Sequence, residues 1–246
     1  MLTTQRRSLL LERLARDGRL VASDLAAELA LSEDTIRRDL RDLAAEGRLL
    51  RVHGGALPLS PTHQPMAQRR DMASDEKQAL ARRAAGLIQP GMTVIVDGGT
   101  THQALIPFLP LDLSCTIVTH SPAFAAALEP FRAVDVILIG GRLFRHSMVA
   151  TGAVAQEAFS RLRADLCLLG VTGVHPTVGL STGDAEEAAL KTTMLRAAGE
   201  VAVLATPDKL GVSSRWVIAQ LTALTTLVTV GARPYWLPPH ITHLSA

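Results

Sequence analysis

Two groups of residues in this chain have the types and spacing for chemistry. The first is Ser32, Thr35, Arg37, Arg38 and Arg41, followed by Arg51 and His53, all within SEDTIRRDLRDLAAEGRLLRVHGGA (residues 32–56). Hydroxyls and unpaired amides at the start of a helix hold phosphate oxygens. An arginine fork pairs with phosphate or with a guanine edge. The second is a group of short loops, each after an apolar run: DGGTT (97–101), THS (119–121), GGR (140–142), GVTGV (170–174) and ATPDK (205–209). Gly lets the backbone approach a ligand, and Thr100, Thr101 and Ser121 bring hydroxyls. Lys209, one of three lysines, brings a cation for a phosphate. Asp97, an acceptor only when ionised, suits sugar hydroxyls.

The first group needs a helix that starts at the right place. Ser32 is an N-cap, Ile36, Leu40 and Leu43 form one apolar stripe, and Gly47 ends the helix. At about 100° per residue, Arg37, Arg38 and Arg41 lie away from that stripe. Upstream, Ser23 is a second N-cap before Leu25, Ala26 and Leu29, and Leu10, Leu11 and Leu14 belong to a first helix ending at Gly18. Three short helices with a tight turn describe a helix-turn-helix, whose second helix points its N-terminal part into the major groove. RLLRVHGGA (48–56) then reads as a wing. A solvated, ion-paired face would look similar: Glu33, Asp34, Asp39 and Asp42 are near, and residues 1–57 hold ten Arg against nine Asp and Glu.

The second group needs a sheet. Val/Ile/Leu runs at 93–97, 115–119, 134–141, 165–170, 201–205 and 226–230 alternate with Ala-rich helical stretches. Near-continuous apolar strands between helices predict a doubly wound, mostly parallel α/β sheet, with ligands outside the carboxyl ends of its strands. PLSPTHQPMAQRRDMASD (58–75), with three prolines, reads as a linker. The organisation expected is a winged helix-turn-helix over 1–57, a linker over 58–75 and a ligand-binding, oligomerising domain over 76–246. Lys77, beside the linker, is expected outside the pocket.

The net charge of +2 gives no general affinity for polyanions, so any DNA binding must come from local clustering. Cys115 and Cys167 sit in apolar runs and read as buried thiols. There is no apolar leader and no run long enough to span a bilayer, so a soluble cytoplasmic protein is expected. His240 and His243 lack Cys or carboxylate neighbours and make a poor metal site; neither metal nor cofactor is called for.

The stretch from RRSLLLERLARDGRL to LSEDTIRRDLRDLAAEGRLLRVHGGA resembles the DNA-binding module of DeoR-type bacterial transcription regulators. The resemblance implies recognition positions at Ser32, Thr35, Arg37 and Arg38, with Arg51 and His53 in the wing. DEKQALARRAAGLIQPGMTVIVDGGTT (75–101) and EEAALK (186–191) are similar to the effector domain of the same family. That domain resembles ribose-5-phosphate isomerase in fold and usually senses a phosphorylated sugar. The resemblance puts Gly99, Thr100, Thr101, Ser121 and Lys209 toward the phosphate, and Asp97 and Glu187 toward the sugar. The chain departs from the family at Gly98, His120 and Thr206, where Ser, Asn and Asp are common; His120 remains able to donate to a ligand oxygen.

Beside an architectural DNA-binding protein without a ligand, two functional classes follow. One is a homo-oligomeric repressor whose affinity for a double-stranded operator changes when a phosphorylated sugar binds. The other is an isomerase-like enzyme, with Asp97, Asp184, Glu187 and Lys209 as candidate acid, base and electrostatic groups.

Overall fold

The structure is a computed structural model that describes residues 2–58, 66–69, 72 and 74–246. Residues 59–65, 70, 71 and 73 of the expected linker lie outside the described residues.

The N-terminal module runs α1 (Thr3–Asp17), β1 (Leu20–Val21), α2 (Ala22–Glu28), α3 (Glu33–Ala45), β2 (Leu50–Val52) and β3 (Gly55–Leu57). Its core is Leu10 and Leu14 of α1, Leu25 of α2 and the α3 stripe Ile36, Leu40 and Leu43. Ser32 caps α3 by accepting the Thr35 N–H at 3.2 Å, and Gly47 ends it at φ +67°. The α2 cap differs from expectation: Val21, not Ser23, precedes the helix. Pairing of Leu20 with Ala56 and Val21 with Gly55 fixes the chain up to Val21, and the Ala22 N–H donates to Gly54 O at 2.8 Å. The helix therefore starts where the ladder stops, at Ala22, and its cap lies two residues before Ser23.

After α4 (Met66–Arg69) and α5 (Ser74–Ala85), the second domain is built on seven parallel strands. These are β4 (Thr93–Val96), β5 (Cys115–Thr119), β6 (Val134–Leu138), β9 (Ala164–Leu169), β12 (Ala198–Ala205), β14 (Thr226–Thr229) and β15 (Thr242–Ser245). Their order is β15-β14-β12-β9-β4-β5-β6. The polar strand β15 was not legible as a strand, because it has no apolar run and forms only as an edge beside β14. Successive side chains alternate faces, as a pleated strand requires. Val94, Val96, Leu166, Leu168, Ala202 and Leu204 pack with α5 and with Phe124 of α7 (Pro122–Ala127). Ile95, Cys167, Leu169, Val201 and Val203 pack on the other face with Phe159 of α8 (Ala153–Ser160) and Met194 of α9 (Ala185–Arg196). Both faces of the central strands β4, β9 and β12 are covered toward their carboxyl ends, which is why those stretches are continuously apolar.

Two small antiparallel units complete the domain. One is the hairpin β7 (Arg142–Phe144) and β8 (Val149–Thr151); the other joins β10 (Gly173–His175), β11 (Gly179–Thr182) and β13 (Trp216–Ala219). In the main sheet the chain winds outward from β4 through β5 to β6, then returns to β9 on the other side of β4. The order reverses between β4 and β9, and the carboxyl ends there diverge to leave a crevice.

Candidate functional site

The outer face of α3 is exposed, and its charges are sorted. Asp39 is 2 % exposed and accepts from both Arg6 and Arg7 of α1, while Arg7 also reaches Asp42 and, at 3.2 Å, Glu46. Those carboxylates are therefore turned toward α1 and away from the outer face. Arg37 pairs with Glu33 one turn earlier at 2.5 Å. Among the described residues, no carboxylate lies within ion-pair distance of Arg38, Arg41 or Arg51. The solvated, self-paired face thus describes Arg37 alone. Ser32 Oγ and Thr35 Oγ1 lie 2.9 Å apart at the helix start, and Arg51 and His53 are exposed on the wing.

The second site is a cavity of about 560 Å³ at the switch point. Three loops at strand ends form its floor: Asp97–His102 after β4, Gly170–Thr172 after β9 and Thr206–Lys209 after β12. Thr182, Glu187 and Lys191 close one side, the turn of the β7–β8 hairpin another, and Arg69, Met72 and Lys77 a third. Of the residues read from the sequence, Asp97, Gly99, Thr100, Thr101, Glu187 and Lys209 are brought together in this wall. The helix that begins at the end of the DGGTT loop is a single turn, α6 (Thr100–Gln103), so its dipole is small. Its own hydrogen bonds begin at the Gln103 N–H, which leaves the Thr100 and Thr101 amides for another acceptor.

Asp97 does not have the role read from the sequence. One oxygen, Oδ1, accepts from the Gly98 N–H at 2.6 Å and from His120 Nε2 at 2.8 Å. The other, Oδ2, accepts from the Gly170 N–H at 2.8 Å and from the Lys191 ammonium. All four lone-pair positions are used, so none remains for a sugar hydroxyl. Burial opposes the carboxylate, but Lys191 and His120 outweigh it and hold Asp97 well below the usual range. Burial likewise opposes the Lys191 ammonium, and Asp97 and Glu187 more than offset it. Lys191 also donates to Gly170 O at 2.9 Å and keeps one proton for the cavity.

His120 and Ser121 are also placed differently from expectation, because neither lines the cavity. The β8 strand lies over the end of β5: the Ala150 N–H donates to His120 O at 2.8 Å, and His120 Nδ1 bonds Ala150 O at 2.7 Å. His120 is thus a buried brace between Asp97 and the hairpin. Ser121 is fully buried and caps α7 by accepting the Phe124 N–H at 3.3 Å. The GGR loop after β6 stays out of the wall as well, because β6 is the far edge of the sheet. Gly98, where the family commonly has Ser, follows from the same hairpin: a Cβ there would overlap the Val149 side chain.

Four wall residues were missed. Lys191 was discoverable, since it stands at i+4 from Glu187 on one helix face. His102 follows Thr101 directly. Its Nδ1 bonds Gly98 O at 3.0 Å, and burial pushes its pKa down to about 4, so the ring is neutral with Nδ1 as the donor. Nε2 is then an acceptor, and it has no partner among the described residues. Arg69 and Lys77 had no sequence signal, because the stretch carrying them reads as linker. Lys77 donates to the carbonyls of Arg69 and Met72, and the Met66 N–H donates to His146 O at 2.9 Å. These bonds press the end of the expected linker against the cavity, and the reading of Lys77 as remote from it is corrected. Lys209 is half-buried. Burial lowers its pKa to about 8, with repulsion from Arg69, Lys77 and Lys191 adding to the shift and Asp208 opposing it.

Comparison with known proteins finds two family models along the chain. Residues 6–62 match the DeoR-like helix-turn-helix domain, and residues 72–230 match the DeoR C terminal sensor domain. The HTH-type transcriptional repressor GlcR of Bacillus subtilis is 32% identical over 89% of this chain and 85% of its own length. The HTH-type transcriptional regulator GlpR of Haloferax volcanii is 34% identical over 94% and 91%. The glycerol-3-phosphate regulon repressor of Escherichia coli is 31% identical over 86% and 84%. Ribose 5-phosphate isomerase A of Methanocaldococcus jannaschii aligns with a TM-score of 0.41 and 17% identity over 56% of this chain and 54% of that one. With a helix-turn-helix at one end and a sensor domain filling most of the rest, the chain belongs to the DeoR family of transcriptional regulators.

Proposed function

We propose that this protein is a repressor whose affinity for a double-stranded operator is changed by a phosphorylated sugar held in the cavity at the β4–β9 switch point. The observation that carries the ligand half is the arrangement of charge. Lys209, Arg69, Lys77 and Lys191 face one space closely enough to repel one another. Five carboxylates, Glu76, Asp97, Asp184, Glu187 and Asp208, share the same wall. Such a cavity is no general anion trap. It suits a ligand with an anionic group at the Lys209 and Thr100–Thr101 side and hydroxyls for Glu187, Lys191 and His102 Nε2. The DNA half is supported by Arg38, Arg41 and Arg51, which are exposed and unpaired by carboxylates. The unit we propose is a homo-oligomer, since paired helices read paired half-sites. The uncovered edge strand β6, with Val136, Ile137 and Leu138 exposed, supports that.

The isomerase reading draws less support. Asp97 has no acceptor position left, and Asp184 is occupied in capping α9 through the Glu187 N–H at 3.0 Å. The deciding experiment is a titration of operator binding against three- to six-carbon sugar phosphates. Lys209→Ala should keep operator affinity and need about ten- to more than a hundredfold more ligand to change it, the worth of one charge-assisted hydrogen bond. Equal response of wild type and variant would remove the phosphate from that end of the cavity.

A further inference from the structure

We propose that ligand arrival in the cavity is passed to the DNA-binding module through a seam where Ser213 and His175 hold the C-terminal end of α1, making these two residues coupling residues that do not touch the ligand. The proposal rests on the ligand reading above. It starts from two segments that each have one end in the cavity wall and the other against the DNA-binding module. The first is the loop after β12: Thr206, Lys209 and Ser214 line the cavity, and Ser213 Oγ donates to Gly18 O. The second is the β10–β11 hairpin. Thr182 at its end lines the cavity, while His175, four residues before the start of β11, faces α1. A β11 of four residues spans only about 13 Å.

These segments move as one piece, because they are bonded to each other. The Gly211 N–H donates to Val174 O at 2.8 Å, and the Ser214 N–H donates to Ser181 Oγ at 2.9 Å. Thr172, also in the cavity wall, donates to Ser214 Oγ. On the seam, His175 is fully buried, with Nδ1 accepting the Thr177 and Val178 N–H groups at 3.3 Å each, which turns Nε2 toward Gly18. Gly18 stands at φ +70°, and a Cβ there would lie 2.9 Å from His175 Nε2 and 3.0 Å from Ser213 Oγ. Gly18 is thus packed against both segments with no room for a side chain, and the Ser213 bond ties its carbonyl to one of them. The other end of α1 holds the recognition helix: Arg6 and Arg7 bind the buried Asp39, and Arg7 also binds Asp42. A displacement that begins at Lys209 and Ser214 thus reaches α3 through the Ser213–Gly18 bond and the Arg6 and Arg7 ion pairs, with α1 as the lever between them and His175 adding packing against Gly18.

The test uses the full chain, a DNA duplex selected by the wild type from a random pool, and ribose 5-phosphate, glycerol 3-phosphate and inorganic phosphate as probes. Calorimetry reads probe binding, and duplex titrations with and without saturating probe give the coupling ratio. Ser213→Ala and His175→Gln should bind the probe within about twofold of wild type while the coupling ratio falls about fivefold or more toward one, and Ser213→Thr should restore it. Both variants keeping the wild-type ratio with normal probe binding would overturn the seam while leaving the ligand reading intact. Loss of probe binding in the variants would make them ligand residues and overturn it as well. If no probe binds the wild type, the ligand reading falls, and the seam's signal falls with it.

Discussion

Replacing Asp97 by Asn separates two roles for the residue at the centre of the cavity floor. If Asp97 reads the ligand, the fold should tolerate the change. If it is the saturated acceptor described above, the fold should not. Asn has one acceptor oxygen for four donors, and its NH₂ would face either His120 or the Lys191 ammonium, both donors. Lys191, 6 % exposed, would keep its charge without a counter-ion. Removing one partner of a buried ion pair costs about 3–5 kcal/mol. For a chain of this size each kcal/mol moves the melting temperature by about 2–4 °C, so a fall of about 6–20 °C is expected. The assay is thermal melting of the ligand-free protein followed by circular dichroism. Adding Lys191→Met should recover much of the loss, because the uncompensated charge is gone. The linkage gives a second signature. The folded pKa of Asp97 lies below its unfolded value, so its stabilisation is present above that value and is lost as pH falls through the folded one. The wild type should therefore lose stability below about pH 4 along a steeper acid limb than the variant. An Asp97→Asn protein that melts within about 2 °C of wild type, a shift worth under 1 kcal/mol, but binds ligand far more weakly would refute the reasoning.

Further outcomes follow from the same geometry. Arg38→Ala and Arg41→Ala should each weaken DNA binding by about 1–3 kcal/mol if they reach base edges, or make the salt dependence shallower by about one ion if they reach phosphate. Arg37→Ala should cost less, since Glu33 already holds that side chain; equal losses at all three would contradict the charge sorting. Ser121→Ala should lower stability by about 1 kcal/mol through the lost α7 cap, and calorimetry should find ligand affinity unchanged. Ligand affinity should be greatest between the second ionisation of a phosphate monoester, about pH 6, and the Lys209 pKa of about 8, and fall as pH rises further. Lys209→Ala should abolish that alkaline limb, and a limb that persists would assign it to another group.

Local signals alone determined much of this protein. The apolar stripe Ile36, Leu40 and Leu43, the Ser32 cap and Gly47 specify α3 and leave its arginines outside, because a helix of 3.6 residues per turn allows no other face. Six of the seven parallel strands are legible as apolar runs, and the central ones among them are apolar because a sheet covered on both faces buries successive residues of a strand; β6 reads the same way although it is an exposed edge. The Gly- and Thr-rich ends of β4, β9 and β12 mark the cavity, because strand ends are where the backbone must turn. Side-chain partners across the fold were decided only by tertiary structure. Asp97 is identical in sequence terms whether its lone pairs are open or full, and the four groups that fill them come from residues 98, 120, 170 and 191. His120 and Ser121 belong to a strand end like the others, yet the β7–β8 hairpin seals that end with a bond formed thirty residues along the chain. Arg69 and Lys77 enter the wall because the stretch around them docks on His146, a contact that proline and polar composition do not encode. Periodicity is a property of neighbours along the chain, so it reveals elements; occupancy of a hydrogen bond is a property of neighbours in space, and only the packed sheet sets it.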